Sequence, residues 1–308
     1  MVSDYHRVLL IFVDGVGLAP AAEHNPLAQL PTPGIHGLLG GPLTLEQCRQ
    51  TEDLLLAPID ANLSVDGLPQ SATGQAALFT GVNAAKTLGR HITGLPGPQI
   101  RRIVESTNLF LAASQLGLTS TFANPYTQTY LDSLATGKRR PSVTTCAVSA
   151  AEIPLRYLAD LRRDRAVSWD ILRDRFAEQL GADLPVVTGV EAGNHLAELS
   201  TDHRLTVYET FITDMAGHDR LGFTVADALA RVDGLIEGVM QGRDRSTTVV
   251  LTSDHGNLED ASHRRHTRNP VPLLVWGPLA RRFEGVESIL GVTPKILECF
   301  GRQDESLH

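Results

Sequence analysis

TTVVLTSDHG, residues 247–256, runs five β-forming residues directly into a polar turn that carries an acid, an imidazole and a glycine. The apolar run predicts a buried strand, so Asp254 and His255 stand where that strand ends and a loop begins. In an open parallel sheet, that end is where ligands bind. Working outward, RVLLIFVDGVG (7–17) repeats the pattern: an apolar stretch suited to a central strand covered on both faces, followed by Asp14 and a tight turn.

Residues 74–80 carry small and apolar side chains suited to a helix packed closely on a sheet. NLFLAASQLG (108–117) reads as a helix closed by Gly117, and LTSTFAN (118–124) as the strand after it. Alternation continues with strand 205–213, helix 224–240, strand 247–253, strand 271–276 and a last helix near 293–300. The expected class is α/β, a mostly parallel sheet flanked by helices. The middle is less regular. PYTQTYLDSLATGKRRPS is turn-rich, and helical patterns at 151–161 and 168–180 flank the mixed-charge run RRDR. These features predict a core of residues 1–124 and 201–308 and a small cap insert at 125–200.

With 308 residues, 42% apolar and 20% charged, the chain is long enough to bury a large core and too apolar for disorder. A formal net charge of −8 argues against broad nucleic-acid binding, which needs clustered Lys and Arg. Cys48, Cys146 and Cys299 form no CxxC pair, so neither a disulfide framework nor a thiolate zinc site is indicated. The apolar run Val8 to Val13 is too short for a signal sequence or a membrane span, and a cytoplasmic location without membrane association is the default expectation.

Four strand ends carry potential ligands: Asp14, Asp214 with His218, Asp254 with His255, and His266 just before NPVPLLVWG. The D-x-x-x-H spacing of Asp214 and His218 puts both on one face if the segment turns helically. Taken singly, each has an ordinary structural role, a turn, a cap or a surface imidazole. Taken together, three carboxylates and three imidazoles without a thiolate suit Zn²⁺ or Mn²⁺, and exceed what one open catalytic site needs. Two divalent ions are therefore expected. PQSATGQAALFTG (69–81) then supplies a hydroxyl, Ser71, at the start of a helix, where unpaired N–H groups favour an anion. An N-cap role is the plain alternative.

These residues resemble the alkaline phosphatase superfamily, whose members carry an Asp after the first strand, a Ser or Thr nucleophile ten residues before the Gly of a TG pair, D-x-x-x-H, D-H-G and a last His. Here they are Asp14, Ser71 with Thr80 and Gly81, Asp214 and His218, Asp254 and His255, and His266. TDMAGHD, SDHGNLED and HTRNPVPLLVWG look most like the cofactor-independent phosphoglycerate mutase branch, with phosphopentomutase as a cousin. The resemblance covers roughly residues 7–91 and 205–277. It implies an alkaline-phosphatase-like core in which Asp214, His218 and His266 hold one metal. Asp14, Asp254 and His255 would hold the other together with Ser71, the nucleophile, for which Thr73 is the rival.

Gln75 stands where the mutases usually show His, and the interval from Ser71 to Asp214 is short for a phosphoglycerate mutase cap. The expected function is therefore hydrolysis of a small-molecule phosphate monoester or diester through a phosphoserine. A phosphomutase and a non-catalytic metal-binding protein are the alternatives. Sulfatase activity is disfavoured by the absence of a Cys- or Ser-x-Pro-x-Arg segment around Ser71. Gln75, Arg90 and His91 are candidate substrate contacts. Lys138, Arg139 and Arg140 could also bind phosphate, although solvated loop charge is the simpler account of them.

Overall fold

The computed structural model describes residues 6–301. Seven strands form one sheet in the order β2-β3-β9-β8-β1-β7-β4. They are β1 (Arg7–Val13), β2 (Arg49–Gln50), β3 (Leu54–Ile59), β4 (Ser120–Phe122), β7 (Leu205–Thr210), β8 (Thr247–Thr252) and β9 (Val271–Trp276), while β5 (Pro125–Tyr126) and β6 (Arg156–Tyr157) pair separately. β8, β1, β7 and β4 are mutually parallel; β9 runs against β8, and β3 against β9, so β3 points the same way as the parallel four. The α/β class with a mostly parallel sheet is thus the observed one.

Alternation along β1 builds two cores, because successive strand side chains point to opposite faces. Val8, Leu10 and Phe12 join one apolar cluster with residues of the helices Ser71–Thr80, Pro98–Ser106, Leu109–Gln115, Val143–Ala150 and Val292–Gly301. Leu9, Ile11 and Val13 join the other, with the helices Pro33–Leu39, Gly189–Ser200 and Val225–Gly242. The result is three layers, helices covering both faces of the sheet.

Several elements differ from the sequence reading. The 151–161 pattern is not one helix: around Pro154, which cannot donate an N–H, it divides into a turn that follows the helix Val143–Ala150, the short β6 and a turn of helix at Leu158–Leu161. The 168–180 pattern yields only Asp174–Leu180, because Ile171 and Arg173 sit in the left-handed region at φ 70° and 72°. β3 and the helix Gly189–Ser200 were not anticipated.

That helix bears on the extent of the insert. It packs along Val225–Gly242 with backbone against backbone: a Cβ on Gly189 would come within 3.0 Å of the Cα of Gly234, and one on Gly193 or Gly238 would strike a carbonyl oxygen of the other helix. The helices Val143–Ala150 and Gly189–Ser200 therefore pack with the core layers. Between them, Leu161, Ala166, Phe176 and Leu184 form a small apolar cluster of their own. No described helix is long and apolar enough to cross a membrane.

Candidate metal centre

One edge of the sheet collects the ligands, and strand direction explains how. β1, β7 and β8 end at the same edge, delivering Asp14, Asp214 in the following helix Ile212–Gly217, and Asp254 with His255. β9 is reversed, so its beginning lies at that edge and His266 arrives just ahead of it. The segment after β3 leads there too and begins the helix Ser71–Thr80. The motifs are far apart in sequence, and the topology brings them together.

Two groups of potential ligand atoms result: Asp14, Asp254 and His255, and Asp214, His255 and His266, with atoms in each group within 4.8 Å of one another. His255 Nε2 lies 3.3 Å from Asp14 Oδ1 and 3.5 Å from Asp254 Oδ2. Asp214 Oδ1 lies 3.3 Å from His218 Nε2 and 3.5 Å from His266 Nε2, and these two nitrogens are 3.0 Å apart. The rings of His255 and His266 stack at 3.7 Å. Asp14 Oδ1, Asp214 Oδ1 and Asp254 Oδ2 are all buried without a hydrogen-bond partner.

Buried polar atoms without partners are costly, and three carboxylate oxygens pointing into one small volume is the arrangement a cation resolves. The second nitrogens support this reading. His218 Nδ1 lies 2.7 Å from the carbonyl of Arg264, and His266 Nδ1 lies 2.8 Å from that of Pro69. Such bonds turn Nδ1 into the donor and leave Nε2 free to ligate. The donor set of carboxylates and imidazoles fits two divalent cations.

Electrostatics give the same picture. Burial, together with the charges of Asp254 and Asp214, pushes the Asp14 carboxyl well above the usual range. Burial likewise raises Asp254, outweighing the attraction of His255. For Asp214 burial acts in the same sense but loses to His218 and His266, which hold its carboxyl far below the usual range. Burial lowers His255, whereas His266 is raised despite its burial because Asp214 and the Pro69 carbonyl favour its protonated form. Without cations, the cluster is a set of like charges partly relieved by protons.

Ser71 opens its helix, and its Oγ sits 3.1 Å from His255 Nε2, at the junction of the two groups. Thr73, the rival, is fully buried; its hydroxyl donates to the Gln70 carbonyl and accepts from Ile92 N–H. Gly74 lets the helix approach the D-H-G loop, since a Cβ there would lie 2.7 Å from the Asp254 carbonyl oxygen. Gln75 Nε2 donates to Asp14 Oδ2 at 3.1 Å.

A cavity of about 1210 Å³ opens over these groups, lined by Asp14, Ser71, Gln75, Asp214, His218 and His266. Arg90 and His91 line a separate depression of about 440 Å³, which shares only Leu68, Gln70 and Thr93 with the larger cavity. Of the three basic residues 138–140, Arg139 alone lines the main cavity.

Other residues around the site were not singled out from sequence. Glu209, in β7, faces the cavity. Burial pushes its carboxyl up to about 7, against a hydrogen bond from Thr144. Glu259, fully buried, accepts the backbone N–H groups of Gly17 and Asn257 at 2.8 Å each, the Thr267 hydroxyl, and Asn269 Nδ2 at 3.0 Å. It thereby ties the loop after β1 to the D-H-G loop and to the residue after His266. A charged residue inside SDHGNLED was the available signal. Arg220, Arg264 and Arg265 line the cavity along with Arg139, and Arg264 is paired with Asp219 at 2.7 Å.

Residues 191–303 match the Metalloenzyme superfamily. The fold is alkaline-phosphatase-like. The alkaline phosphatase from the Antarctic bacterium TAB5 superposes with a TM-score of 0.57 at 16% identity, covering 96% of this chain and 98% of that one. In sequence, the 2,3-bisphosphoglycerate-independent phosphoglycerate mutase of Cereibacter sphaeroides is 30% identical over 127 residues, 38% of this chain and 25% of the mutase. The phosphopentomutase of Limosilactobacillus reuteri is 22% identical over 221 residues, 69% of this chain and 54% of that enzyme. The chain thus spans between a quarter and about half of the length of these curated relatives.

Proposed function

We propose that the protein is a metal-dependent phosphoryl-transfer enzyme that hydrolyses small phosphate esters through a phosphoserine at Ser71. The observation that carries this reading is the Ser71 hydroxyl at a helix start, 3.1 Å from His255 Nε2, between two groups of buried carboxylates and imidazoles. Asp14, Asp254 and His255 would hold one cation beside Ser71, and Asp214, His218 and His266 the other. Bound there, a pair of divalent ions would neutralise phosphoryl charge and favour the serine alkoxide.

The chain's own residues supply the rest. Ser71 Oγ forms the bond to phosphorus as the ester oxygen on the opposite side leaves in line. The Ala72 N–H donates to the Ile92 carbonyl, so the remaining first-turn N–H groups of the helix would face the phosphoryl oxygens. Gln75 and Glu259 fix Asp14 and the D-H-G loop, so little reorganisation is needed during the reaction. The arginines lining the cavity favour anionic esters. Water then cleaves the phosphoserine and releases phosphate.

A phosphomutase is the second reading, favoured by the sequence similarity to the two mutases. Aryl phosphomonoester and diester substrates with Mn²⁺ or Zn²⁺ test the first half-reaction. Turnover is expected to vanish with chelator and in Ser71→Ala, and turnover that survives both would refute the mechanism. Inorganic phosphate as the product supports hydrolysis, whereas an isomeric phosphate ester without phosphate release supports the mutase.

A further inference from the structure

Two aromatic patches line the cavity: Phe122, Tyr126 and Tyr130 form one, and a wall around Trp169 and Phe211 forms the other. Trp169 stacks on Phe211 at 4.6 Å with an angle of 14° between the rings, and Phe223 meets Trp169 edge-on at 6.2 Å. Trp169 and Phe211 are half-buried and line the cavity together with Met215, Leu180 and Leu221, the last 53% exposed. The wall is held in place. The Thr210 hydroxyl donates to the Trp169 carbonyl at 2.7 Å and the Tyr208 hydroxyl to the Ser168 carbonyl at 2.8 Å, fastening this stretch to β7. The guanidiniums of Arg231 and Arg175 lie 5.1 and 5.6 Å from the centre of the Phe223 ring.

Its position relative to Ser71 gives it a role. Ser71 touches His255 Nε2, which both groups share but which lies 3.3 and 3.5 Å from Asp14 and Asp254, while no hydrogen bond joins Ser71 to Asp214, His218 or His266 among the described residues. The wall grows from the segment that carries the opposite group: Phe211 and Met215 flank Asp214, and Leu221 follows His218. In an in-line displacement the leaving group departs opposite the attacking oxygen. A leaving group displaced by Ser71 is thus directed to the Asp214 side, where the wall stands.

We propose that this wall is a leaving-group subsite and that the preferred substrates are phosphate esters of planar, ring-bearing alcohols rather than of small polyols. Trp169 is the specificity-determining residue, contributing a flat apolar surface that a compact sugar or glycerol leaving group would not fill. The inference rests on the proposed phosphoryl site.

Phosphonates remove the unequal reactivity of different leaving groups from the comparison. Phenylphosphonate and methylphosphonate are titrated calorimetrically into the Mn²⁺-loaded protein, its Trp169→Ala variant and its Trp169→Phe variant. Phenylphosphonate is expected to bind at least about tenfold tighter than methylphosphonate to the unaltered protein. Trp169→Ala should lose that advantage with methylphosphonate binding unchanged, and Trp169→Phe should keep most of it. Equal affinities in the unaltered protein, or equal weakening of both ligands by Trp169→Ala, would overturn the subsite while leaving the phosphoryl site standing. Failure of both phosphonates to bind would overturn the phosphoryl site and the subsite together.

Discussion

Two sets of charged residues in this protein are built in opposite ways. Around Arg231 the acids Asp174 and Asp227 meet an opposite charge, although the neighbouring Asp170 also keeps one buried carboxylate oxygen without a hydrogen bond. The Arg231 guanidinium grips Asp174 with two bonds of 2.6 and 2.8 Å, reaches Asp227 at 3.1 Å, and donates to the Asp170 carbonyl at 3.1 Å. At the strand ends, Asp14, Asp214 and Asp254 each keep a buried oxygen without a hydrogen bond. The first set fastens the 170–174 segment to the helix Val225–Gly242. The second gathers acids and imidazoles on one another at the strand ends, a donor set that suits divalent cations. What separates the two is the counter-charge: a guanidinium sits between the acids of the first set, whereas the acids of the second converge on one another and on imidazoles.

Substitution in each set should break the contrast in its own direction. The largest effect is expected at the ligands. Asp254→Asn should lower turnover and Mn²⁺ affinity by about a hundredfold or more. Because it removes one of several like charges, it should leave the metal-free protein as stable as before or more so, which thermal melts with chelator would show. A matching loss of metal-free stability would mean that Asp254 is a structural acid.

Arg231→Met should do the reverse: destabilise the fold by about 1–3 kcal/mol in denaturant titrations, since its partners are part-exposed, and leave Mn²⁺ affinity unaltered. A large change in affinity would show that the two sets are coupled.

The smallest effect concerns Glu209. Its carboxyl, raised to about 7 from an ordinary 4.5, holds a proton in the folded state that the unfolded chain has lost. Stability of the metal-free protein should therefore fall as pH rises from 4.5 to 7 and level off above that. Glu209→Gln keeps a carbonyl oxygen for the Thr144 hydroxyl and removes this slope. The variant should melt about 2–4 °C higher than the parent at pH 8 and show no such gain at pH 4.5. Parallel melting curves across that range would contradict the raised carboxyl.

The contrast also explains what could be read from the sequence. Asp14, Asp214 and Asp254 were legible because each interrupts or directly follows an apolar run, where an acid has no packing role, and because the same edge of a parallel sheet receives them. Glu209 was hidden one residue before the end of such a run. Trp169 was hidden because its place depends on how the irregular 151–188 segment folds back onto β7, and no periodicity encodes that. β3 was missed because Pro58 disguises LLLAPI, although an antiparallel neighbour tolerates it. Arg90 and His91 sit close to Ser71 in sequence but face a different depression, because the chain turns away after the helix Ser71–Thr80.

The glycine seam between the helices Gly189–Ser200 and Val225–Gly242 has a consequence for variation in length. Backbone meets backbone there, so inserting a residue within either helix would rotate everything beyond it by about 100° and bring side chains into a gap with no room for them. The 151–188 stretch is held by other means, with Val167 and Ile171 in the core and Ser168, Trp169 and Asp170 bonded to β7 and Arg231. Change of length is thus confined to the turns between those anchors, and the seam fixes the point to which the chain returns.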